Sequence, residues 1–403
     1  MMKHIRDQFP ILQQQVHNKP LIYFDNAASS QKPSCVIQAV KTYYESINSN
    51  VHRGIHHLSQ LATDAYEQAR QQVQTFIHAQ HSHEIVFTRG TTESINLVAA
   101  CFSRDFLKPG DEIILSMMEH HSNIVPWQLA CQQSQAVIKV IPMNEKGELL
   151  MDAYHKLFSD KTKIVAITQT SNTLGTINPI KEMISYAHSR NVPVLIDGAQ
   201  GIKSCGIDVQ EVDCDFYCFS GHKLYAPMGI GILYGKEAWL DKLPPYQGGG
   251  DMIREVSFAK TTFNDLPFKF EAGTPNVGGA IGLQQALLFI EIYGHQNFIQ
   301  YEKELLDYAI SQMKSIENIR FIGTASHKSA VISFLLEPHH PTDVGTLIDF
   351  MGVAVRTGHH CTQPLMDHLG IPGTIRASFA PYNTKEEIDY FVHALRTANK
   401  MLA

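Results

Sequence analysis

A series of short apolar runs separated by helical stretches constrains this chain more than any other feature. Ile85-Val86-Phe87, Ile113-Ile114-Leu115, Ile164-Val165-Ala166-Ile167 and Val194-Leu195-Ile196 recur along the first half, with amphipathic stretches at 93–101, 124–131 and 180–189 between them. Runs without polar alternation are strands buried on both faces, and helices between such strands are the crossovers of a mostly parallel sheet. The fold class is therefore α/β. Ligands of such sheets bind beyond the carboxyl ends of the strands. Polar clusters stand just after the runs, at 88–92, 116–121, 169–172, 197–200 and, after the run 216–219, at 220–223. The pattern predicts that all five converge on one crevice.

From Pro244-Pro245 through Gly248-Gly249-Gly250 to Gly273-Thr274-Pro275 the periodicity is lost. Such Pro/Gly punctuation marks a boundary. Beyond it, helices are predicted at 278–293, 301–314 and 343–350, and strands at 330–336, 353–356 and 375–379. A last helix opens with Thr384 and Glu387 in the spacing of a capping box. A chain of 403 residues exceeds the usual single domain. The expected division is a large domain over 21–275 and a smaller α+β domain over 276–403, with an N-terminal segment 1–20.

A net charge of −6 leaves no basic excess for nucleic acid or an anionic membrane. No uncharged run approaches the roughly 18–20 apolar residues that span a bilayer. Residues 1–15 carry charges and Pro10 where a signal peptide needs a continuous apolar segment. The expected location is cytoplasmic. Seven scattered cysteines do not form the framework of a small secreted domain. Cys35, Cys101, Cys131, Cys205, Cys214 and Cys218 read as reduced and mostly buried apolar side chains, whereas Cys361 stands apart.

The chemistry starts at Ser220-Gly221-His222-Lys223, where a lone lysine follows a buried run, and at Asp197, which ends another. An amine for an aldehyde and a carboxylate for a pyridine nitrogen point to pyridoxal 5'-phosphate. Asp197 would keep that nitrogen protonated, and Lys223 would hold the aldehyde and later shuttle a proton. Arg89-Gly90-Thr91-Thr92-Glu93 lies between a strand and a helix, so main-chain N–H groups and the Thr91 and Thr92 hydroxyls would meet the phosphate. Alone, the two threonines read as a helix cap. Ser220 and His222 would complete the cradle, and one imidazole of His120-His121 would stack on the ring. Adjacent histidines do not project like the i, i+4 pair of a helical zinc site. No metal is expected there, nor at His56-His57, His339-His340 or His359-His360.

Arg356-Thr357-Gly358-His359-His360-Cys361-Thr362-Gln363-Pro364 reads as a short loop between a strand and a helix that Pro364 starts. A thiol near a helix start and two imidazoles is placed as a nucleophile. Arg376 emerges from a strand, where its guanidinium suits a carboxylate. An amino acid is the natural ligand, its amine on the aldehyde and its carboxylate on Arg376.

Asp197-Gly198-Ala199-Gln200, Ser220-Gly221-His222-Lys223-Leu224-Tyr225, Glu271-Ala272-Gly273-Thr274-Pro275-Asn276 and the Cys361 loop together resemble the short-loop, SufS/CsdA-like cysteine desulfurases over nearly the whole chain. Asn50-Val51-His52-Arg53-Gly54 and Glu119-His120-His121-Ser122-Asn123 extend the likeness, and the tail from Arg376 to Thr384 looks most like the CsdA branch. The resemblance implies the aspartate aminotransferase-like fold type I and a homodimer with active sites near the subunit interface. It implies that Lys223 carries pyridoxal 5'-phosphate, that His120 stacks on its ring, and that Asp197 and Gln200 contact the ring. Thr91, Thr92, Ser220 and His222 would hold phosphate, with Thr274 reaching it from the neighbouring subunit. Asn172, Arg376 and Arg356 would hold the substrate.

The implied reaction takes sulfur from L-cysteine, releases L-alanine and leaves a persulfide on Cys361. A SufE/CsdE- or SufU-type acceptor would receive the sulfur for iron–sulfur cluster or related biosynthesis. Thr362 departs from the alanine that relatives often carry. Two other readings stand beside this one: a selenocysteine lyase, cysteine sulfinate desulfinase or other fold type I enzyme, and a non-catalytic sulfur- or metal-binding module.

Overall fold

The computed structural model describes residues 4–403; the first three residues of the segment 1–20 lie outside it. Its centre is a seven-stranded sheet in the order Ile85–Thr88, Gly231–Gly235, Phe216–Ser220, Val194–Asp197, Thr162–Thr168, Glu112–Ser116, Val137–Ile141. The last five run parallel, with Val165 opposite Val194 and Leu195 opposite Phe216. The apolar side chains of four of these five are sealed between helices on both faces, as the runs require, whereas Val137 and Val140 of the edge strand are exposed. Among the longer crossovers, Thr91–Asp105 and Val125–Ser134 run a few residues past the predicted helices, and Ile180–Ser189 matches its prediction.

The strand Gly231–Gly235 was not foreseen. It runs antiparallel between Ile85–Thr88 and Phe216–Ser220, with Gly231 opposite both Thr88 and Ser220. Its glycines disguise it as a loop, yet glycine is needed at the contact. A Cβ on Gly231 would lie 2.3 Å from Cα of Gly90, whose φ is +155°. This close approach seats the start of the helix Thr91–Asp105 against Ser220.

A second core forms around the antiparallel sheet Ile319–Ile322, Val331–Leu336, Thr374–Ser378, Arg356–Gly358. Pro341–Phe350 and Lys385–Leu402 cover it. The latter helix opens with the expected box: Glu387 N donates to Thr384 Oγ1 at 3.3 Å, and Thr384 N to Glu387 Oε2 at 3.1 Å.

Each of the two cores draws on chain from both sides of residue 275. The helix Val277–Tyr293 buries Leu283, Leu287 and Ile290 in the first core, so that core extends past 275. Ile22 and Phe24 belong to the second, and Ile22–Tyr23 pairs in parallel with Val353–Ala354. The chain turns at Gly294, and His295–Met313 spans both cores through Phe298 on one side and Leu305 and Met313 on the other. The strand foreseen at 353–356 is two pieces. Val353–Ala354 pairs with the chain's start and Arg356–Gly358 with Thr374–Ser378, so the loop before the helix Gln363–Leu369 is shorter than expected.

Within the zone 244–275 lies an exposed hairpin, Ile253–Val256 with Thr261–Phe263. All seven cysteines are free; Cys101, Cys214 and Cys218 are buried, whereas Cys35, Cys131 and Cys205 are only partly so. No single helix is long and apolar enough to cross a membrane among the described residues, and the one bent pair that passes by composition is Val277–Tyr293 with His295–Met313.

Candidate active site

The five polar clusters meet as expected. A cavity of about 240 Å³ beyond the strand ends is lined by Thr91, Thr92, His120, Asn172, Asp197, Gln200, Ser220, His222, Lys223, Arg356, Cys361 and Arg376. Of the predicted site residues only Thr274 is elsewhere. It lines a separate cavity of about 350 Å³ with Arg89, Glu93 and Tyr246.

Lys223 ends a short turn, Gly221–Lys223, that follows the central strand Phe216–Ser220. Burial pushes its ammonium pKa down, and Asp197 opposes that shift. Burial thus favours the neutral amine, the form that condenses with an aldehyde. Asp197 is 3% exposed, and its Oδ1 accepts Ala199 N at 2.9 Å. Burial raises its pKa while Lys223 lowers it, so a cation placed against it would offset the desolvation. Gln200 is turned toward the same wall by donating Nε2 to Ala27 O at 2.6 Å.

At the other end, Ser220 Oγ accepts Thr91 N at 2.9 Å and lies 2.8 Å from Thr91 Oγ1. The first turn of a fifteen-residue helix therefore opens on the cavity, the place where an anion is favoured. His222 Nδ1 is buried beside it without a partner. Burial and Lys223 bring the His222 pKa down to about 4, so it is a neutral imidazole awaiting a ligand.

His120 is held by Ser122, whose N and Oγ stand 3.1 and 2.8 Å from Nδ1. An Nδ1 that accepts a main-chain N–H carries no proton, so the proton is on Nε2. Burial, then Lys223, lowers the His120 pKa to about 3, which keeps the ring neutral.

Arg376, 2% exposed, donates Nη1 to Asn172 O at 3.0 Å and Nη2 to Asp25 Oδ1 at 3.2 Å. Its Nε is buried without a partner. A buried guanidinium whose Nε–H is unengaged can receive a carboxylate. Cys361 completes the wall in a left-handed conformation, φ +58°, directly after His360 at φ +51°.

Several site residues escaped the sequence reading. Asp25 holds Arg376 and approaches Arg356 at 3.9 Å; its position after the apolar run 21–24, at a strand end like the others, was the available signal. Glu119 is buried, accepting from Ser116 Oγ, from Thr168 N at 3.0 Å and from Asn123 Nδ2 at 2.7 Å. Burial raises its pKa to about 8. Ser29, Ser30 and Lys32 place donors on the carbonyl of His222, with Lys32 Nζ at 2.9 Å, and so fix the turn that carries Lys223. Among the described residues no group of three or more His, Cys, Asp or Glu side chains is arranged to hold a metal ion.

A receptor for a carboxylate, a recessed amine against a buried carboxylate, and a helix start for an anion define a pyridoxal phosphate-type site on an α/β sheet. The chain belongs to the aminotransferase class-V family, whose sequence pattern matches residues 22–391. Within that family it is similar to cysteine desulfurases over nearly its whole length. It is 49% identical to the Escherichia coli K12 cysteine desulfurase over 399 residues, covering 99% of this chain and 98% of that one. Identity to the Synechococcus elongatus cysteine desulfurase is 48% over 392 residues, 97% of this chain, which spans 63% of that protein's length. The solved structure of the cysteine desulfurase CsdA from Escherichia coli, in its S-sulfonic acid form, superposes with a TM-score of 0.93 at 41% identity, covering 100% of this chain and 99% of that one. The family is pyridoxal phosphate-dependent, and the unpartnered His222 Nδ1 and Arg376 Nε fit the phosphate end and the substrate end of such a site.

Proposed function

We propose that this protein is a pyridoxal 5'-phosphate-dependent cysteine desulfurase that moves sulfur from L-cysteine to its own Cys361 and releases L-alanine. The observation that carries the proposal is that Lys223, Asp197, Arg376 and Cys361 line one small cavity. Lys223 would hold the cofactor aldehyde, Asp197 and Gln200 the pyridine side, and Thr91, Thr92, Ser220 and His222 the phosphate. When bound, the cofactor draws electrons from the substrate Cα and thereby weakens the Cβ–S bond.

The chain's own residues do the rest. Arg376 takes the substrate carboxylate through its free Nε, and Asn172, whose carbonyl holds Nη1, lines the same end with Arg356. Lys223 removes the Cα proton and returns protons to the carbon skeleton, its neutral form favoured by burial. The neutral His120 ring, which lines the cavity, would stack on the cofactor's ring. The Cys361 thiolate attacks the substrate sulfur: an S–S bond forms as the Cβ–S bond breaks, the electron pair returns to the carbon skeleton, and alanine leaves after protonation. Atoms balance without an external oxidant.

The remote Thr274 supports a homodimer in which each subunit lends this residue to its neighbour's phosphate cradle. The loop at Cys361 is short, which supports delivery of the persulfide sulfur to a dedicated acceptor of the SufE/CsdE or SufU kind. Comparing L-cysteine, L-selenocysteine and L-cysteine sulfinate as alanine sources, with intact Cys361 and with Cys361→Ala, tests the proposal. Cysteine turnover should vanish in the variant. Undiminished cysteine turnover without Cys361, or alanine from selenocysteine or sulfinate alone, would replace the proposal with a lyase or desulfinase.

A further inference from the structure

Cys361 occupies an unfavourable backbone conformation, and something must hold it there. His360 and Cys361 are consecutive non-glycine residues at φ +51° and +58°. A left-handed backbone is disfavoured for any residue that carries a Cβ. The loop contributes its own bonds, Cys361 N to His359 Nδ1 at 3.1 Å and Thr362 Oγ1 to His359 O at 2.8 Å. From outside, Asn172 Nδ2 donates to His360 O at 2.8 Å, and Thr173 and Thr374 meet the side chains of Thr362 and His360.

His121 does something different. Its main-chain N–H donates to Cys361 O at 2.8 Å, and its ring Nε2 accepts Gln363 N at 3.0 Å. Among the described residues, it is the one residue outside the loop that hydrogen-bonds the loop's backbone at two points, Cys361 O and Gln363 N, both directly after the Cys361 side chain. Its neighbour His120 faces the cavity. The turn carrying both is anchored beneath by Asn123, which donates to the buried Glu119 and accepts Trp127 Nε1 at 2.9 Å.

We propose that His121 is a positioning residue for the reactive thiol: it braces the left-handed turn at Cys361 through two bonds to the backbone that directly follows the side chain, at Cys361 O and Gln363 N, and so keeps Sγ on the cavity wall. The idea rests on the proposed role of Cys361 as sulfur carrier. His121 touches neither substrate nor cofactor; its effect reaches the reaction through the loop.

The test uses the cofactor-loaded full chain and two variants. His121→Ala keeps the main-chain bond but removes the acceptor of Gln363 N–H, whereas His121→Gln offers a side-chain oxygen near the Nε2 position. The readouts are hydrogen exchange of the 359–363 peptide, visible absorbance of the cofactor, and single-turnover persulfide formation on Cys361. For His121→Ala the expected result is faster exchange in that peptide and persulfide formation slowed about tenfold, the scale of one lost hydrogen bond. Its cofactor absorbance should be unchanged and KM for cysteine should move less than kcat, while His121→Gln recovers most of both losses. Wild-type exchange and rate in His121→Ala would overturn the proposal. So would a Gln variant as impaired as the Ala variant, or an altered cofactor spectrum, which would place the effect at His120. Absence of any persulfide on Cys361 in the unaltered protein would instead overturn the function on which the proposal rests.

Discussion

Replacing Arg376 with lysine separates charge from geometry at the substrate carboxylate. In the folded protein the two Nη atoms are engaged by Asn172 O and Asp25, and Nε alone is buried without a partner. Lysine retains a positive charge near Asp25 but has no fork and cannot present a donor at the Nε position while reaching Asp25. The loss is one hydrogen bond between charged groups, which contributes about 1.5–3 kcal/mol. That corresponds to a fall in kcat/KM for L-cysteine of roughly 10- to 150-fold. Because the bond forms when the amino acid binds, most of the loss should appear in KM. The assay is alanine release over a range of cysteine concentrations, with cofactor occupancy read from visible absorbance in the same sample. A variant with full occupancy and a kcat/KM within about twofold of the unaltered protein would refute the assignment of Arg376.

Three further outcomes are expected. Cys361→Ala should retain cofactor and its colour but form no persulfide and release no alanine from cysteine; measurable turnover would remove the thiol from the pathway. Arg70, 1% exposed, donates Nη1 to Glu271 Oε1 at 2.7 Å and to Ile85 O at 2.8 Å; Arg70→Met leaves Glu271 buried and should cost about 3–5 kcal/mol in chemical denaturation, so an unmoved midpoint would show that the pair is dispensable. Burial lowers the His360 pKa from 6.5 to about 3, so below pH 6.5 the unfolded chain binds a proton that the folded chain does not, and stability is lost as pH falls. Between pH 6.5 and about 5.5 the native protein should therefore lose about 1 kcal/mol more than His360→Asn; parallel pH curves would mean that His360 is protonated when folded.

The parallel sheet was legible because fully apolar runs such as 113–115 and 194–196 are satisfied only by burial on both faces. The cavity was legible for the same reason: once the strands are parallel, the residues at their carboxyl ends must share one edge of the sheet. Gly231–Gly235 was not legible, since a glycine at each end makes it read as a loop, although Ile232, Leu233 and Tyr234 are buried like the other apolar runs. The packing of Val277–Tyr293 was not legible, because that helix is apolar nearly all round and its allegiance to the first core depends on what surrounds it. Asp25 and His121 act through contacts with residues more than 200 positions away, Arg376 and Gln363. Nothing in their local sequence announces those partners.

The central claim is that Cys361 receives the substrate's sulfur, and the intact mass of the purified, cofactor-loaded protein before and after L-cysteine tests it most directly, with peptide mapping around Cys361. The account predicts one added sulfur on that residue, matched by released alanine. Alanine released with the protein's mass unchanged, or sulfur found on another cysteine, would contradict it.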